Sequence, residues 1–334
     1  MVQRHNGTTA QRHNGATAQR HNDIKASDEK NMKRRHFTKR LAMAGIGVAG
    51  AASMKNDLQS GLDTSGQGSV KRCKLSLNAY SFNKSLMDGT FTVSDLLDFS
   101  ARTGLDGVDL TGYYFPGYPE VPSDEYIYSV KKKAFRLGLY INGTGVRNDF
   151  TWSDPEKRAV EKKLVRDWVI VAQKLGAPSL RIFTGNLSKE KFSWDERAGW
   201  IAEDIRECAE FGKKHGVMMA LQNHNDFIKN ASEIEKLLEM INHDWVGLML
   251  DIGSYHIADP YADIARNAKY AISWQLKEKV FINEKEVDTD YSKIRDIVRQ
   301  CGFIGYLPIE TLGEGDPVLK VETLFKRVSS ILNS

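Results

Sequence analysis

Residues 194–251 read WDERAGWIAEDIRECAEFGKKHGVMMALQNHNDFIKNASEIEKLLEMINHDWVGLMLD, and two successive helix–strand units are legible in them. Residues 194–215 form a helix that stops at Gly216, because glycine takes the left-handed closing conformation without a Cβ penalty. A short apolar strand follows at 217–222. Residues 231–241 are helical again, and 246–251 make the next strand. Strands this short and this continuously apolar suit a parallel sheet covered on its outer face.

The rhythm extends in both directions. Upstream, strands are expected at 74–80, 107–110, 139–143 and 179–184. Between them lie a helix through Val93, Leu96, Leu97 and Ala101 closed by Gly104, one at 126–137 before Gly138, and one at 155–175 before Gly176. Downstream, strands at 271–276 and 305–310 alternate with helices at 261–267, 291–301 and 317–332. Eight such units in about 260 residues match a closed barrel in count and length. The expected fold is therefore α/β, a (β/α)₈ TIM barrel over residues 73–334. An open doubly wound sheet lacks support, since no GxGxxG follows the first strand.

The 334 residues carry a formal charge of +4, but unevenly. Residues 1–40 hold ten Lys/Arg against three Asp/Glu, and the remainder holds 37 against 40. The barrel is mildly acidic, which argues against a nucleic-acid partner. Cys73, Cys208 and Cys301 are far apart and form no CxxC; they read as small barrel residues.

The basic excess belongs to the leader. Residues 1–31 contain a polar tandem repeat, QRHNGTTA, QRHNGATA, QRHND, expected to be a disordered low-complexity extension, with Met32 the more natural start. Residues 32–53 read MKRRHFTKRLAMAGIGVAGAAS. The segment Lys33-Arg34-Arg35-His36-Phe37-Thr38-Lys39 resembles a twin-arginine motif, and the apolar stretch behind it is too short to span a membrane and ends in small residues. Export through the twin-arginine translocase to the periplasm is the expectation. Residues 54–72 read as a flexible linker.

In a barrel of this kind chemistry collects at the C-terminal ends of the strands. There the fifth strand runs into Gln222, Asn223 and His224. The sixth ends in Asp251, with His256 beyond it; the seventh carries Gln275 and Lys277; the eighth ends in Glu310. Period-two alternation puts Gln222 with His224, and Gln275 with Lys277, on one inward face. Aromatic residues gather in the loops: Tyr113, Tyr114, Phe115 and Tyr118 after the second strand, Trp152 after the third, Phe183 on the fourth, with Trp274 in the seventh. Aromatic faces at a barrel mouth suit the apolar faces of sugars. Arg147, Arg181 and Asn223 are candidates for contact with sugar hydroxyls or a carboxylate.

The segments MALQNHNDF, LMLDIGSYH, WQLKEK and LPIE, in this order, resemble the four metal-site segments of the sugar phosphate isomerase/epimerase group of xylose isomerase-like barrels. In that group they usually read Glu-Asn-His, Leu-Asp-x-x-His, His-x-Lys-Asp and Ile-Glu, and the resemblance covers essentially the whole domain. It implies a divalent metal among Gln222, Asp251, Gln275 and Glu310, with His224 or His256 as substitute ligands. Gln222 replaces the usual Glu and Gln275 the usual His. Such an oxygen-rich set suits Mn²⁺ or Mg²⁺ better than Zn²⁺.

The resemblance further implies metal-assisted proton abstraction beside the carbonyl of a keto-sugar. Glu310 would be the base, with His224, His256 and Lys277 as possible partners. A symmetric two-base mechanism is disfavoured because Gln222 cannot accept a proton. A 3-keto-glycoside lyase or hydratase is the alternative enzyme, and a non-catalytic sugar-binding barrel is the third reading. The partner is a small carbohydrate or glycoside, and an oligomer is compatible with the sequence. An endonuclease IV-like activity, which uses three zincs and many histidines, is the least favoured reading: four of the eight histidines lie in the leader, and His215 and His243 precede strands, at the wrong end of the barrel.

Overall fold

The computed structural model describes residues 73–186 and 191–332. The expectations for 1–31, 32–53 and 54–72 fall outside the described residues. Eight parallel strands close a barrel: β1 (Lys74–Asn78), β2 (Gly107–Thr111), β3 (Tyr140–Gly145), β4 (Ser179–Ile182), β5 (Met218–Gln222), β6 (Val246–Asp251), β7 (Ala271–Lys277) and β8 (Tyr306–Glu310). Each strand pairs with its neighbours in chain order, and β8 closes on β1 through Lys74↔Tyr306 to Leu77↔Ile309. The main outer helices are α1 (Val93–Thr103), α2 (Asp124–Arg136), α3 (Pro155–Leu175), α4 (Trp194–His215), α5 (Ala231–Ile241), α6 (Pro260–Asn267), α7 (Tyr291–Gln300) and α8 (Pro317–Leu332).

Local chemistry sets these boundaries. Thr92 with Asp95, and Ser193 with Glu196, form reciprocal capping boxes that satisfy free N–H groups at the starts of α1 and α4. Gly104, Gly176 and Gly216 end α1, α3 and α4 in the left-handed region. The apolar faces of the helices meet the outward-facing strand residues in one continuous core that includes Leu77, Val108, Trp168, Leu180, Leu221, Leu250, Trp274 and Ile309. All three cysteines are free.

Three differences from the sequence reading bear on the site. The first strand stops at Asn78 rather than running to residue 80. The Asn78 side chain accepts from the Tyr80 N–H at 2.9 Å and turns the chain into a 3-10 turn, Ala79–Phe82. The fourth strand ends at Ile182, two residues early. After β7 the chain forms a hairpin, Lys279–Ile282 with Lys285–Asp288, extended to three strands by His256–Ile257. Its turn residues Asn283 and Glu284 have φ of 49° and 64°. Asn-Glu is not the usual sequence for such a turn, which favours Asn-Gly, so the hairpin carries little local signal.

Candidate functional site

At the C-terminal mouth of the barrel a cavity of about 220 Å³ is lined by Gln222, His224, Gln275, Lys277 and Glu310 on one side. Asn78, Tyr80, Thr111, Tyr113, Arg147, Arg181, Phe183 and Leu312 complete it. Sheet register explains the cluster: Asp251 lies level with Gln275, and Glu310 level with Lys277, so each pair faces the same way.

The polar groups are tied to one another. Lys277 Nζ stands 3.0 Å from Asp251 Oδ2 and 3.1 Å from Glu310 Oε1. Gln222 Nε2 donates to Asp251 Oδ2 and to Gln275 Oε1, both at 2.8 Å. Gln275 Nε2 donates to Glu310 Oε2. Asp251 is fully buried, and its Oδ1 accepts from the Gly253 N–H at 2.9 Å. Gly253 has a second use, since a Cβ there would lie 2.6 Å from Lys277 Cδ and displace the lysine stem.

Burial works against the Lys277 charge, but Asp251 and Glu310 outweigh it and hold its pKa above the ordinary lysine range. Burial raises the Glu310 carboxyl above the usual range. The Lys277 ammonium beside it opposes that shift, and the Asp251 carboxylate adds to it.

The opposite wall is built on Arg181. Its Nη1 donates to the Tyr113 hydroxyl at 2.8 Å and to the Val146 carbonyl at 2.9 Å, and its guanidinium stacks 4.3 Å from the Phe183 ring centre. Gly145 makes room, for a Cβ there would lie 2.7 Å from Arg181 Nε. Arg147 is exposed and lies over the Tyr113 ring at 5.5 Å. His224 has a half-exposed side chain, edge-on to Phe183, with Nδ1 3.6 Å from Asp226 Oδ2.

Three residues expected at the site are not brought to it. His256 stacks on Phe281 at 3.9 Å and meets Glu284 Oε2 at 2.7 Å within the small sheet. Trp152 lies under Lys157 Nζ at 4.2 Å, on the first turn of α3. Asn223 is 1% exposed and clamps the next strand, its amide exchanging two hydrogen bonds with the Asp251 backbone. Among the loop aromatics, Phe115 and Tyr118 pack on Trp168, and Tyr114 bonds Asn83. Trp274 is buried in the core, because alternation turns it away from Gln275. Conversely, Asn78, Tyr80, Thr111 and Leu312 line the cavity unannounced. Their signal was positional, at or just beyond strand ends, without charge to mark it.

The donor set does not fit the expected Mn²⁺ or Mg²⁺. Among the described residues no three His, Cys, Asp or Glu side chains converge as metal ligands. The two carboxylates already share an ammonium, and both amides turn NH₂ rather than oxygen toward them. Hard cations need oxygens that face them.

Asp109 stands inward on β2, 2% exposed, near Arg181 and Glu310 in charge terms. Burial pushes its carboxyl up to about 6, with Arg181 opposing the shift and Glu310 adding to it. A raised folded-state pKa stabilises the fold below the unfolded value near 4, and that contribution is lost as pH rises through about 6. Asp109→Asn should therefore raise Tm at pH 7.5, by the equivalent of about 2–3 kcal/mol, and gain nothing at pH 4. Parallel thermal melts at the two pH values check this; an equal gain at both would mean that ionisation is not the cause.

Residues 97–330 match the model of a family described as xylose isomerase-like TIM barrel. Among solved structures, a D-psicose 3-epimerase from Clostridium cellulolyticum H10 is similar at 16% identity and TM-score 0.65, covering 78% of this chain and 99% of that one. A 3-keto-D-glucoside 4-epimerase from E. coli is similar at 12% identity and TM-score 0.63, covering 78% and 100%. A sugar phosphate isomerase/epimerase from Parabacteroides distasonis is similar at 16% identity and TM-score 0.61, covering 80% and 98%. No curated protein matches the chain. At these identities the structural likeness speaks for the fold alone.

Proposed function

The chain belongs to the xylose isomerase-like TIM barrel family, and from that premise we propose that it is a sugar isomerase/epimerase-like enzyme that withdraws a proton beside the carbonyl of a keto-sugar. The observation that carries this reading is a buried carboxylate, Glu310, lining a sugar-sized mouth cavity beside an ammonium, Lys277. About 220 Å³ lies below the ~300 Å³ at the lower end of drug-sized pockets and suits one ring. Arg181, Tyr113 and Asn78 offer polar contacts for hydroxyls. That three of the similar structures are sugar epimerases or isomerases by name supports the same reading.

Glu310 takes the α-proton, the C–H electron pair becomes the new carbon–carbon double bond, and the carbonyl π pair moves onto oxygen to give an enediolate. Positive charge near that oxygen lowers the barrier, and desolvation inside the barrel strengthens it. Lys277 supplies that charge at the cavity wall. For an isomerisation between neighbouring carbons Glu310 returns the proton to the former carbonyl carbon, while the neighbouring hydroxyl proton passes to the former carbonyl oxygen and the new carbonyl forms where that hydroxyl stood. His224 follows β5, three strands from β8 around the barrel, and is the proton carrier available from that side.

A second reading, the keto-glycoside lyase, is favoured by one observation. A cavity of about 870 Å³, formed by Phe82, Lys84, Ser85 and residues 311–315, shares Tyr80 and Leu312 with the first. Together they accommodate more than one ring. In that reading the enediolate collapses by expelling a β-substituent, which His224 protonates as it leaves. Export under the direction of residues 32–53 belongs to the same proposal, since glycosides are met outside the cell more readily than sugar phosphates.

One experiment separates the readings. Keto-hexoses and 3-keto-glucosides are incubated with the protein in D₂O and followed by NMR. Deuterium entering beside the carbonyl with the glycosidic bond intact is the result expected of an isomerase or epimerase. Release of the aglycone selects the lyase, and neither change with any keto-sugar leaves only a sugar-binding barrel.

A further inference from the structure

We infer that the Lys277 ammonium is the resident cation of this site, occupying the position between Asp251 and Glu310 where a divalent ion would be gripped, so that the barrel mouth works without a metal. The binding half of this inference stands on geometry. Its catalytic half rests on the proton abstraction proposed above.

Five side chains form one closed ring. Lys277 contacts Asp251 and Glu310, Gln222 donates to Asp251 and Gln275, and Gln275 donates to Glu310. Each carboxylate is thus served by one ammonium and one amide NH₂. For either amide to ligate a cation it would have to reverse, turning its NH₂ away from the carboxylate it now serves and breaking the ring. The charges balance the same way. Two carboxylates and one ammonium sum to −1 in a buried site, and a divalent ion would meet Lys277 as a like charge at contact distance.

A lysine in this segment does not decide the matter, for the pattern His-x-Lys-Asp contains one too. Gln222 and Gln275 are what differ. Glutamate and histidine would bring a charge and a lone pair to a metal, whereas two amides bring hydrogens to carboxylates that an ammonium already half neutralises. The ammonium is also held in place: Gly253 leaves space for its stem, and Lys277 is only 13% exposed.

The test is Mn²⁺ binding by the whole chain, read by calorimetry and by the loss of free-Mn²⁺ EPR signal. The wild-type protein should show no stoichiometric uptake at millimolar Mn²⁺. One tightly held ion per chain would overturn the inference. The variant Gln222→Glu/Gln275→His/Lys277→Met, which also removes the ammonium from the seat, should gain at least a hundredfold in Mn²⁺ affinity, with a rise in Tm on loading. If it remains folded by circular dichroism and takes up none, the four positions are not a cation seat and the inference falls. Wild-type deuterium exchange that persists undiminished in EDTA supports the catalytic half, and its abolition by EDTA overturns it. Absence of exchange with every keto-sugar, together with no Mn²⁺ uptake, sinks the proposed enzyme while leaving the resident cation standing.

Discussion

Glu310→Gln should lower turnover by roughly 10²–10⁴-fold while Tm moves little. The substitution keeps shape and hydrogen-bonding reach, and an amide oxygen still accepts from Lys277, which keeps Asp251 as counter-charge. What is lost is the ability to take a proton. A positioned base contributes roughly 10²–10⁴-fold, and Glu310 is the carboxylate that lines the cavity, because Asp251 lies sealed behind it. The pH profile adds a second readout. The base must be ionised, and burial holds the Glu310 carboxyl above the usual carboxylate range. Wild-type activity should therefore rise with pH along an acid limb displaced upward from that range, and the residual activity of the variant should lack this limb. Solvent deuterium exchange measures both. Exchange at the wild-type rate in Glu310→Gln would remove Glu310 as the proton acceptor, and an unchanged acid limb would assign that limb to another group.

Most of the barrel was legible in the chain, for a physical reason. A (β/α)₈ fold repeats one local grammar: an apolar run, a capped amphipathic helix, and a glycine that ends it. Four helices, including α3 and α4, run between the residues expected of them, and strand β6 does so too. The hairpin after β7 was missed because its strands are short, its outer strand is fully exposed, and its turn is Asn-Glu. At the site, alternation placed Gln222, His224, Gln275 and Lys277 on the inner face correctly. It says nothing of how far a side chain reaches or what holds it. Asn223 looked like a sugar ligand and is a backbone clamp, and the Tyr114, Phe115 and Tyr118 rings are used up in packing. His256 looked like a ligand because it follows Asp251 closely, but the chain turns through Ile252–Ser254 and carries it into the small sheet. The clearest unread signal was Gly253, where the absence of a side chain admits the Lys277 stem to the two carboxylates.

Lys277→Met should destabilise the protein by about 3–5 kcal/mol at pH 8, the cost of leaving buried charge without its partner. Methionine nearly matches the lysine stem in length and bulk, so packing against Gly253 is largely kept and the loss reports the ammonium. Asp251 and Glu310, 0% and 3% exposed at their side chains, would then face each other with amide donors alone. The sign with pH follows from linkage. In the wild-type protein the Lys277 pKa is raised, so its stabilising contribution is complete below the unfolded lysine value and disappears only in strong alkali. In the variant Glu310 loses the cation that opposes its burial, and its raised pKa climbs further. A carboxyl raised in this way favours the fold at acid pH, and that contribution is lost as pH rises through the folded-state value. The deficit relative to wild type should therefore be smaller at pH 4.5 than at pH 8, and grow through the range in which Glu310 ionises. Urea unfolding at several pH values measures it directly. A deficit that does not change with pH would mean that Glu310 is not held as a charge against Lys277, and the closed ring of five side chains would then not be what holds the mouth of the barrel together.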